Sequence, residues 1–407
     1  DQLDLVEIAP TAAGTRRIFV GSMGKATEEF PELAKADDHG FVIATKGQDI
    51  HIVGGGGLGT PFFRPHLQRL LPKGRRFPVV AWGVGVDTIF GDNGYVQMDA
   101  VGGNLAAFGT KSQPSTTGTV KITDLGGNDV IVTQSGDKWL VGGDGEDKIT
   151  AGNGNHVVSG DNVEVSYVAI KLPGAGLPLR YETTDMLVGT GGNDEIVLGN
   201  GSNVVFGGMG ADAITTGTGT DTIFGDNGYV QMDVEGGKFA KWGSKSQDST
   251  TGSLSVKDLG GNDVIVTQSG DKWLVGGDGA DQISATVGNH TVVGDNAEFS
   301  YVALGSTGAG KVLRYETTDT LADTGGDDII QVGNGNNVVL GGMGADQITT
   351  GAGVDTIFGD NGYVQMDAVG GNLAAFGTKS QPSTSGTVKI TDLGGNDVIV
   401  TQSGDKW

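Results

Sequence analysis

Gly207-Gly208-Met209-Gly210-Ala211-Asp212-Ala213-Ile214-Thr215 is the stretch that decides the architecture of this chain. Its length gives room for one tight turn, built on glycines that accept positive φ, and one short strand carrying a single large apolar residue. The pattern returns as Gly142-Gly143-Asp144-Gly145-Glu146-Asp147-Lys148-Ile149-Thr150 and as Gly341-Gly342-Met343-Gly344-Ala345-Asp346-Gln347-Ile348-Thr349. Around these copies the register holds where the letters drift. Asp194, Asn203, Asp212 and Asp221 are nine apart, followed two residues later by Ile196, Val205, Ile214 and Ile223. A second block carries Asp129, Lys138, Asp147 and His156 with Ile131, Leu140, Ile149 and Val158, and its next copy has Asp263, Lys272, Asp281 and His290.

A longer period encloses the short one. The string from Asp87 to Asp99 returns unchanged from Asp221 to Asp233 and again, after an equal step, from Asp355 to Asp367. A fixed period of this kind signals a repeat architecture. Each unit alternates two four-rung blocks with two insertions that open on Gly-Asp-Asn. One insertion contains Val163-Glu164-Val165-Ser166-Tyr167 and, after Pro173-Gly174-Ala175-Gly176, Leu179-Arg180-Tyr181-Glu182, which predicts a β-hairpin arm leaving the ladder. The other predicts an arm around Gly118-Thr119-Val120-Lys121-Ile122. The division expected is a small β-α-β-β domain at 1–60, a basic linker at 61–82, repeat units at 83–218 and 219–352, and a partial unit at 353–407. Because the third copy stops at Trp407 partway through a unit, a longer array is expected.

Composition narrows the function. The chain has 75 glycines in 407 residues, no cysteine, and 49 acids against 26 bases for a net charge of −23. Absence of cysteine excludes disulfide scaffolds and Cys-ligated metal sites, and the negative charge opposes nucleic acid or anionic membrane as the main partner. No apolar run reaches the ~18 residues of a membrane span, and an export signal is expected outside this sequence.

The nonapeptides resemble those of the repeats-in-toxin (RTX) family, G-G-x-G-x-D-x-U-x with U a large apolar residue. The resemblance implies a mainly β fold, a parallel β-roll or solenoid, in which turn carbonyls and the aspartate carboxylate bind Ca²⁺. The residues themselves lead toward the same ion. With two rungs to a coil and strands ~4.8 Å apart, residues two rungs apart stack, pairing Asp129 with Asp147, Asp194 with Asp212 and Asn203 with Asp221. Stacked carboxylates repel unless a hard cation enters, and calcium takes six to eight such oxygens whereas magnesium demands a tighter octahedron. The expected ligands are Asp129, Gly143, Gly145, Asp147, Asp194, Gly208, Gly210, Asp212, Gly217, Gly219, Asp221, Asp263, Gly277, Gly279, Asp281, Asp328, Gly342, Gly344, Asp346, Gly351, Gly353 and Asp355. One Ile or Val per rung makes a thin core, so folding is expected to depend on the ion.

Departures from the pattern carry their own expectations. Lys138 and Lys272 occupy the aspartate position, and His156 and His290 follow two rungs later. These rungs are expected to be metal-free, the ammonium standing in for a cation beside Asp137 or Asp271. A zinc site at either histidine is disfavoured because each is alone in its unit, and Asn203 and Asn337 predict weaker sites. Phosphate-binding loops would need a following helix, which Ile-Thr-Thr-Gly after Ala213 does not start. An ice-binding face on Thr215, Thr216, Thr218, Thr220 and Thr222 is set aside because arms would interrupt it. Aromatic residues of the arms, Tyr167, Tyr229, Trp242 and Tyr301, raise a glycan partner against the simpler reading of packing between arms.

Residues 1–82 differ in composition, with nine acids, ten bases and six of the ten prolines. A strand at 17–21, a helix at 26–36 and strands at 40–44 and 49–53 are predicted, and residues 12–71 resemble the non-catalytic α/β domain preceding the barrel of α-glucuronidase-like glycoside hydrolases. Where that family places its barrel, the basic stretch 64–76 leads into the repeats, so no inherited activity is expected. His51 reads as an exposed strand side chain. With no paired histidine and nucleophile, the expectation is a non-enzymatic, secreted or cell-surface calcium-binding protein serving as spacer, adhesive or scaffold. The alternative is the export and folding module of a larger secreted carbohydrate-active enzyme.

Overall fold

The computed structural model describes residues 4–7, 17–20, 41–44, 79–81, 87–92, 94–98, 105–110, 128–169, 172, 175–184, 191–233, 237–245, 260–319, 325–367, 369, 372–379 and 394–407. Every regular element among them is a β-strand. Near the N-terminus Asp4–Glu7 pairs antiparallel with Arg17–Val20, which pairs parallel with Phe41–Ala44. The first of these strands is absent from the sequence reading, and the predicted helix at 26–36 and strand at 49–53 lie outside the described residues.

The repeats wind into two parallel sheets. The first runs in order from Val79–Ala81 through Val130–Thr133, Lys148–Ala151, Glu195–Leu198, Ala213–Thr216, Val264–Thr267, Gln282–Ala285, Ile329–Val332 and Gln347–Thr350 to Val398–Thr401. The second runs from Asp87–Phe90 through Lys138–Val141, Val157–Ser159, Val204–Gly208, Asp221–Asp226, Lys272–Val275, Thr291–Val293 and Val338–Gly342 to Thr356–Asp360. Successive rungs alternate between the two. The inward residue of each rung, such as Ile149, Val158, Ile196, Val205, Ile214 and Ile223, is fully buried between the sheets. The expected stacking of alternate rungs appears in Ile131 beside Ile149 and Ile196 beside Ile214. The ladder also closes across the insertions, where Ile149 pairs with Ile196 and Ile214 with Ile265.

The insertions do not leave the ladder as free arms. They fold back as a third layer, a continuous ten-stranded antiparallel sheet over the second parallel sheet. Hairpins Val163–Tyr167/Pro178–Thr183 and Ala297–Tyr301/Val312–Thr317 fit the sequence reading of that insertion. In the other insertion the hairpins are Gly94–Met98/Leu105–Thr110, Gly228–Met232/Phe239–Ser244 and Gly362–Met366/Leu373–Thr378. Residues 118–122, where the sequence predicts that arm, lie outside the described residues. The signal for the observed hairpin is the alternation of Tyr-Val-Gln-Met inside the repeated string.

This third layer corrects the expectation of a core one residue thick. Phe206 and Phe224 point away from the first core and meet Val230, Trp242 and Phe299 from the arms in a second buried cluster. The middle sheet is thus covered on both faces, as parallel sheets usually are. The arm aromatics pack rather than reach out: Trp242 is fully buried, stacks on Phe299 at 3.7 Å between centroids, and donates from Nε1 to the Tyr301 hydroxyl at 2.7 Å. Tyr229 donates to Glu298 at 2.9 Å with the Arg180 guanidinium 4.7 Å over its ring. Trp242→Ala is expected to cost about 3–5 kcal/mol, from the cavity and the lost ring contacts. A chemical melt at saturating calcium measures it, and a loss below ~1 kcal/mol would show the arm layer to be energetically independent of the roll.

The threonines fail to make a common face, for a reason other than the one expected. The arms do not cross the first sheet, but Thr216 and Thr222 are buried, so the five threonines do not share one surface.

Candidate metal centre

The roll has two edges of turns. Turns from the second sheet back to the first, such as Gly207 to Asp212, form the first edge, and the insertions leave there. Turns from the first sheet to the second, such as Gly217 to Asp221, form the second edge.

On the first edge the aspartates form one ladder. Asp194 N donates to Asp212 Oδ1 at 2.7 Å, and Asp328 N to Asp346 Oδ1 at 2.9 Å, both between alternate rungs of one block. The same bond crosses the insertions: Asp147 N to Asp194 Oδ1 at 2.7 Å, Asp212 N to Asp263 Oδ1 at 2.7 Å, Asp281 N to Asp328 Oδ1 at 2.7 Å and Asp346 N to Asp397 Oδ1 at 3.0 Å. Asp129 to Asp147 and Asp263 to Asp281 complete it. Sequence spacing alone hides these longer steps, and with them Asp397. One carboxylate oxygen of each rung is thereby fixed by the backbone.

The other oxygen faces a buried space. Oδ2 of Asp147, Asp212, Asp328 and Asp346 is buried and accepts no hydrogen bond. A Cβ at Gly207 would overlap both Asp212 Oδ2 and the Gly225 carbonyl oxygen, and a Cβ at Gly142 would overlap Asp147 Oδ2 and the Gly160 carbonyl oxygen. Carboxylate and carbonyl oxygens therefore converge where only glycine fits. Gly208 and Gly210, at φ of 127° and 112°, turn the backbone in the left-handed region between them. Among the described residues no three Asp, Glu or His side chains converge on one point. An ion here must draw most of its oxygens from the main chain, which suits calcium's large, flexible oxygen shell.

Electrostatics point the same way. Burial first, then Asp263 and Asp194, pushes the Asp212 carboxyl well above the usual carboxylate range. Asp147 is raised by burial and by Asp194, and Asp328 by burial with Asp346 and Asp319 adding to it. Stacked buried carboxylates of this kind are costly as anions unless a cation joins them.

The Gly-Asp-Asn that opens each insertion has a use the sequence reading does not give it. Asp92 Oδ2 accepts from Asp144 N at 2.8 Å, and Asp161 Oδ2 from Met209 N at 2.6 Å. Asp226 and Asp295 do the same for Asp278 and Met343. Each splints the root of an insertion to the neighbouring turn.

The second edge is built otherwise. Lys272 is fully buried, and its Nζ donates to the carbonyls of Gly217 at 3.2 Å and Gly219 at 2.8 Å and to Asp221 Oδ2 at 2.6 Å. Lys406 meets Gly351, Gly353 and Asp355 at 3.1, 3.0 and 2.5 Å. The expected calcium ligands Gly217, Gly219 and Asp221, and likewise Gly351, Gly353 and Asp355, therefore already hold an ammonium. The stand-in role expected of lysine is present, but its acid belongs to the preceding block, on the far side of the insertion. Asp137 and Asp271 instead accept from the backbone N of Asn155 and Asn289, each at 2.8 Å.

Aspartates held in a nine-residue register, each aiming an oxygen at a turn carbonyl where only glycine fits, are the observation that decides the family. The chain carries RTX calcium-binding repeats. The family model for the RTX calcium-binding nonapeptide repeat, which itself spans four copies of the repeat, matches residues 123–158, 182–214, 210–229, 259–291, 315–348 and 333–364. RTX nonapeptide repeats bind Ca²⁺, and the oxygens of the first edge fit that ion. No curated protein and no solved structure matches the chain, so the likeness of residues 12–71 to glycoside hydrolases gains nothing from them.

On the RTX geometry, Gly207→Ala is expected to remove one bound calcium, because its methyl fills the space shared by Asp212 Oδ2 and Gly225 O. Gly237→Ala, where a Cβ meets nothing within 4 Å, is expected to change stability by less than ~0.5 kcal/mol. Equal ion counts for the two variants would refute the placement.

Proposed function

We propose that this RTX chain works outside the cell as a calcium-stabilised spacer or surface scaffold, with calcium in a structural rather than catalytic role. The observation that carries the reading is the ladder of first-edge aspartates, which continues without a break past every insertion from Asp129 to Asp397. Each complete unit adds four coils, or roughly 19 Å of length at ~4.8 Å per coil, so unit number sets reach. A polyanionic chain without cysteine stays unfolded where calcium is scarce and folds where it is abundant, which suits export through a narrow channel. RTX proteins are typically secreted by bacteria, and no helix among the described residues is long and apolar enough to cross a membrane. Glycan binding loses its motive, since Trp242, Tyr301 and Tyr229 are engaged within the arm layer.

The test is a calcium titration followed by far-UV circular dichroism. A midpoint at ~10⁻⁴–10⁻³ M, the range of extracellular modules, is expected. Folding complete below ~10⁻⁶ M would rule out a switch thrown on leaving the cytosol. The export-module reading shares this switch and is separated from the scaffold by the neighbouring coding sequence, where a complete catalytic domain would favour the module.

A further inference from the structure

We infer that the second edge of the roll binds no calcium at its aspartates, because Lys272 and Lys406 serve there as permanent cations, so that the ion-dependent fold is held by metal along one edge only. The inference rests on the calcium reading of the first edge. It begins from a contrast in satisfaction. Asp212 and Asp346 leave a buried oxygen without a hydrogen bond, whereas both oxygens of Asp221 are filled. Asp221 Oδ1 accepts from Asn203 N at 3.0 Å and Asn203 Nδ2 at 2.8 Å, and Oδ2 accepts from Thr216 Oγ1 at 2.7 Å and from Lys272. Lys272 and Asp221 are each fully buried, so a pair this close is a neutral unit in a medium of low polarity.

Elsewhere on this edge, too, side-chain nitrogens sit against turn carbonyls. His156 Nε2 lies 2.8 Å from the Gly152 carbonyl and His290 Nε2 3.1 Å from that of Thr286. Asn337 Nδ2 reaches the carbonyls of Gly333 at 3.2 Å and Gly335 at 3.4 Å, and Asp355 Oδ1 at 3.0 Å. Aspartate, lysine, histidine and asparagine thus recur down this edge once per unit, giving one negative and one positive charge, against four aspartates per unit on the first edge. Burial opposes ionisation of Asp355, yet hydrogen bonds from Lys406 and from the backbone N of Asn337 hold its carboxyl below the usual range, the opposite of the first-edge acids. A calcium ion entering the Asp221 cage would have to expel a buried ammonium from three oxygens, or sit beside it as a like charge.

Calcium bound per folded chain, measured by equilibrium dialysis with metal analysis at saturating calcium, tests this on the full chain. Asp212→Asn is expected to lower the count by at least one, whereas Asp221→Asn leaves it unchanged. Lys272→Asp recreates the first-edge arrangement around Gly217, Gly219 and Asp221 and is expected to raise the count by one. Loss of an ion from Asp221→Asn while Asp212→Asn also loses one would overturn the ammonium assignment alone. A wild-type chain that binds no calcium would instead overturn the reading of the first edge. Should Lys272→Asp fail to fold, Asp221→Asn still decides.

Discussion

In chelator at neutral pH the repeats are expected to lose most of their β-sheet signal, and added calcium to restore it while an equal concentration of magnesium does not. The reason is the first-edge ladder. Asp147, Asp194, Asp212, Asp263, Asp281, Asp328 and Asp346 are all buried, and their strands stack in register. Two unit charges ~4.8 Å apart at an effective dielectric of about 20 repel by roughly 3–4 kcal/mol. Each neighbouring ionised pair adds a penalty of that order, and a few such pairs exceed the ~5–15 kcal/mol by which a domain is stable. The two apolar clusters cannot offset this, because the turns that set strand register are the turns that hold the charges. Magnesium is expected to fail because carbonyls and a carboxylate spread around a glycine-lined space do not make its compact octahedron. Circular dichroism of the chelated chain gives the answer, and an unchanged spectrum would remove the ion from the account of folding.

Without calcium, lowering the pH from about 8 to about 4 is expected to bring β-structure back. Burial, with Asp397, Asp327 and Asp360 adding to it, pushes the Asp346 carboxyl up to about 7, against an ordinary value of 3.8. Its folded pKa lies above its unfolded one, so the folded chain holds the proton more tightly. The contribution is fully present below 3.8 and is lost as pH rises through about 7. Asp147, Asp212 and Asp328 are shifted in the same direction. His156 and His290 act in the opposite sense: burial lowers them, so their contribution is present above the ordinary histidine value of ~6.5 and is lost as pH falls. Two histidines stand against these four ladder carboxylates, so acidification favours the metal-free roll. Calcium affinity is expected to move the other way, falling with acid because its ligands must be deprotonated. A metal-free chain whose β-signal declines steadily over this acidification would show that the aspartate ladder is not its main weakness.

Much of this site is legible in the residues alone. The nine-residue register places Asp194 over Asp212, and the structure bonds them. What the register cannot give is any relation spanning an insertion. Asp147 reaches Asp194, Asp212 reaches Asp263 and Lys272 reaches Asp221 across an intervening arm, separations with no local signature. Proximity in sequence therefore pairs lysine with Asp137 and Asp271, and groups Gly217, Gly219 and Asp221 with the metal ligands. Likewise, alternation in Val163 to Tyr167 announces a hairpin but not the face on which it lands.

The rung is written in the residues themselves: glycines for the turn, an acid at its close, one apolar residue for the interior, and a period that forces copies to stack. Those are local choices, fixed by backbone freedom and side-chain polarity within nine residues. The difference between the two edges emerges only when the coils pack, because two turns with the same glycines and the same aspartate differ only in what the neighbouring coil brings to them. Where that coil brings another carboxylate, a buried oxygen is left for calcium, and where it brings an ammonium, the cage is already closed.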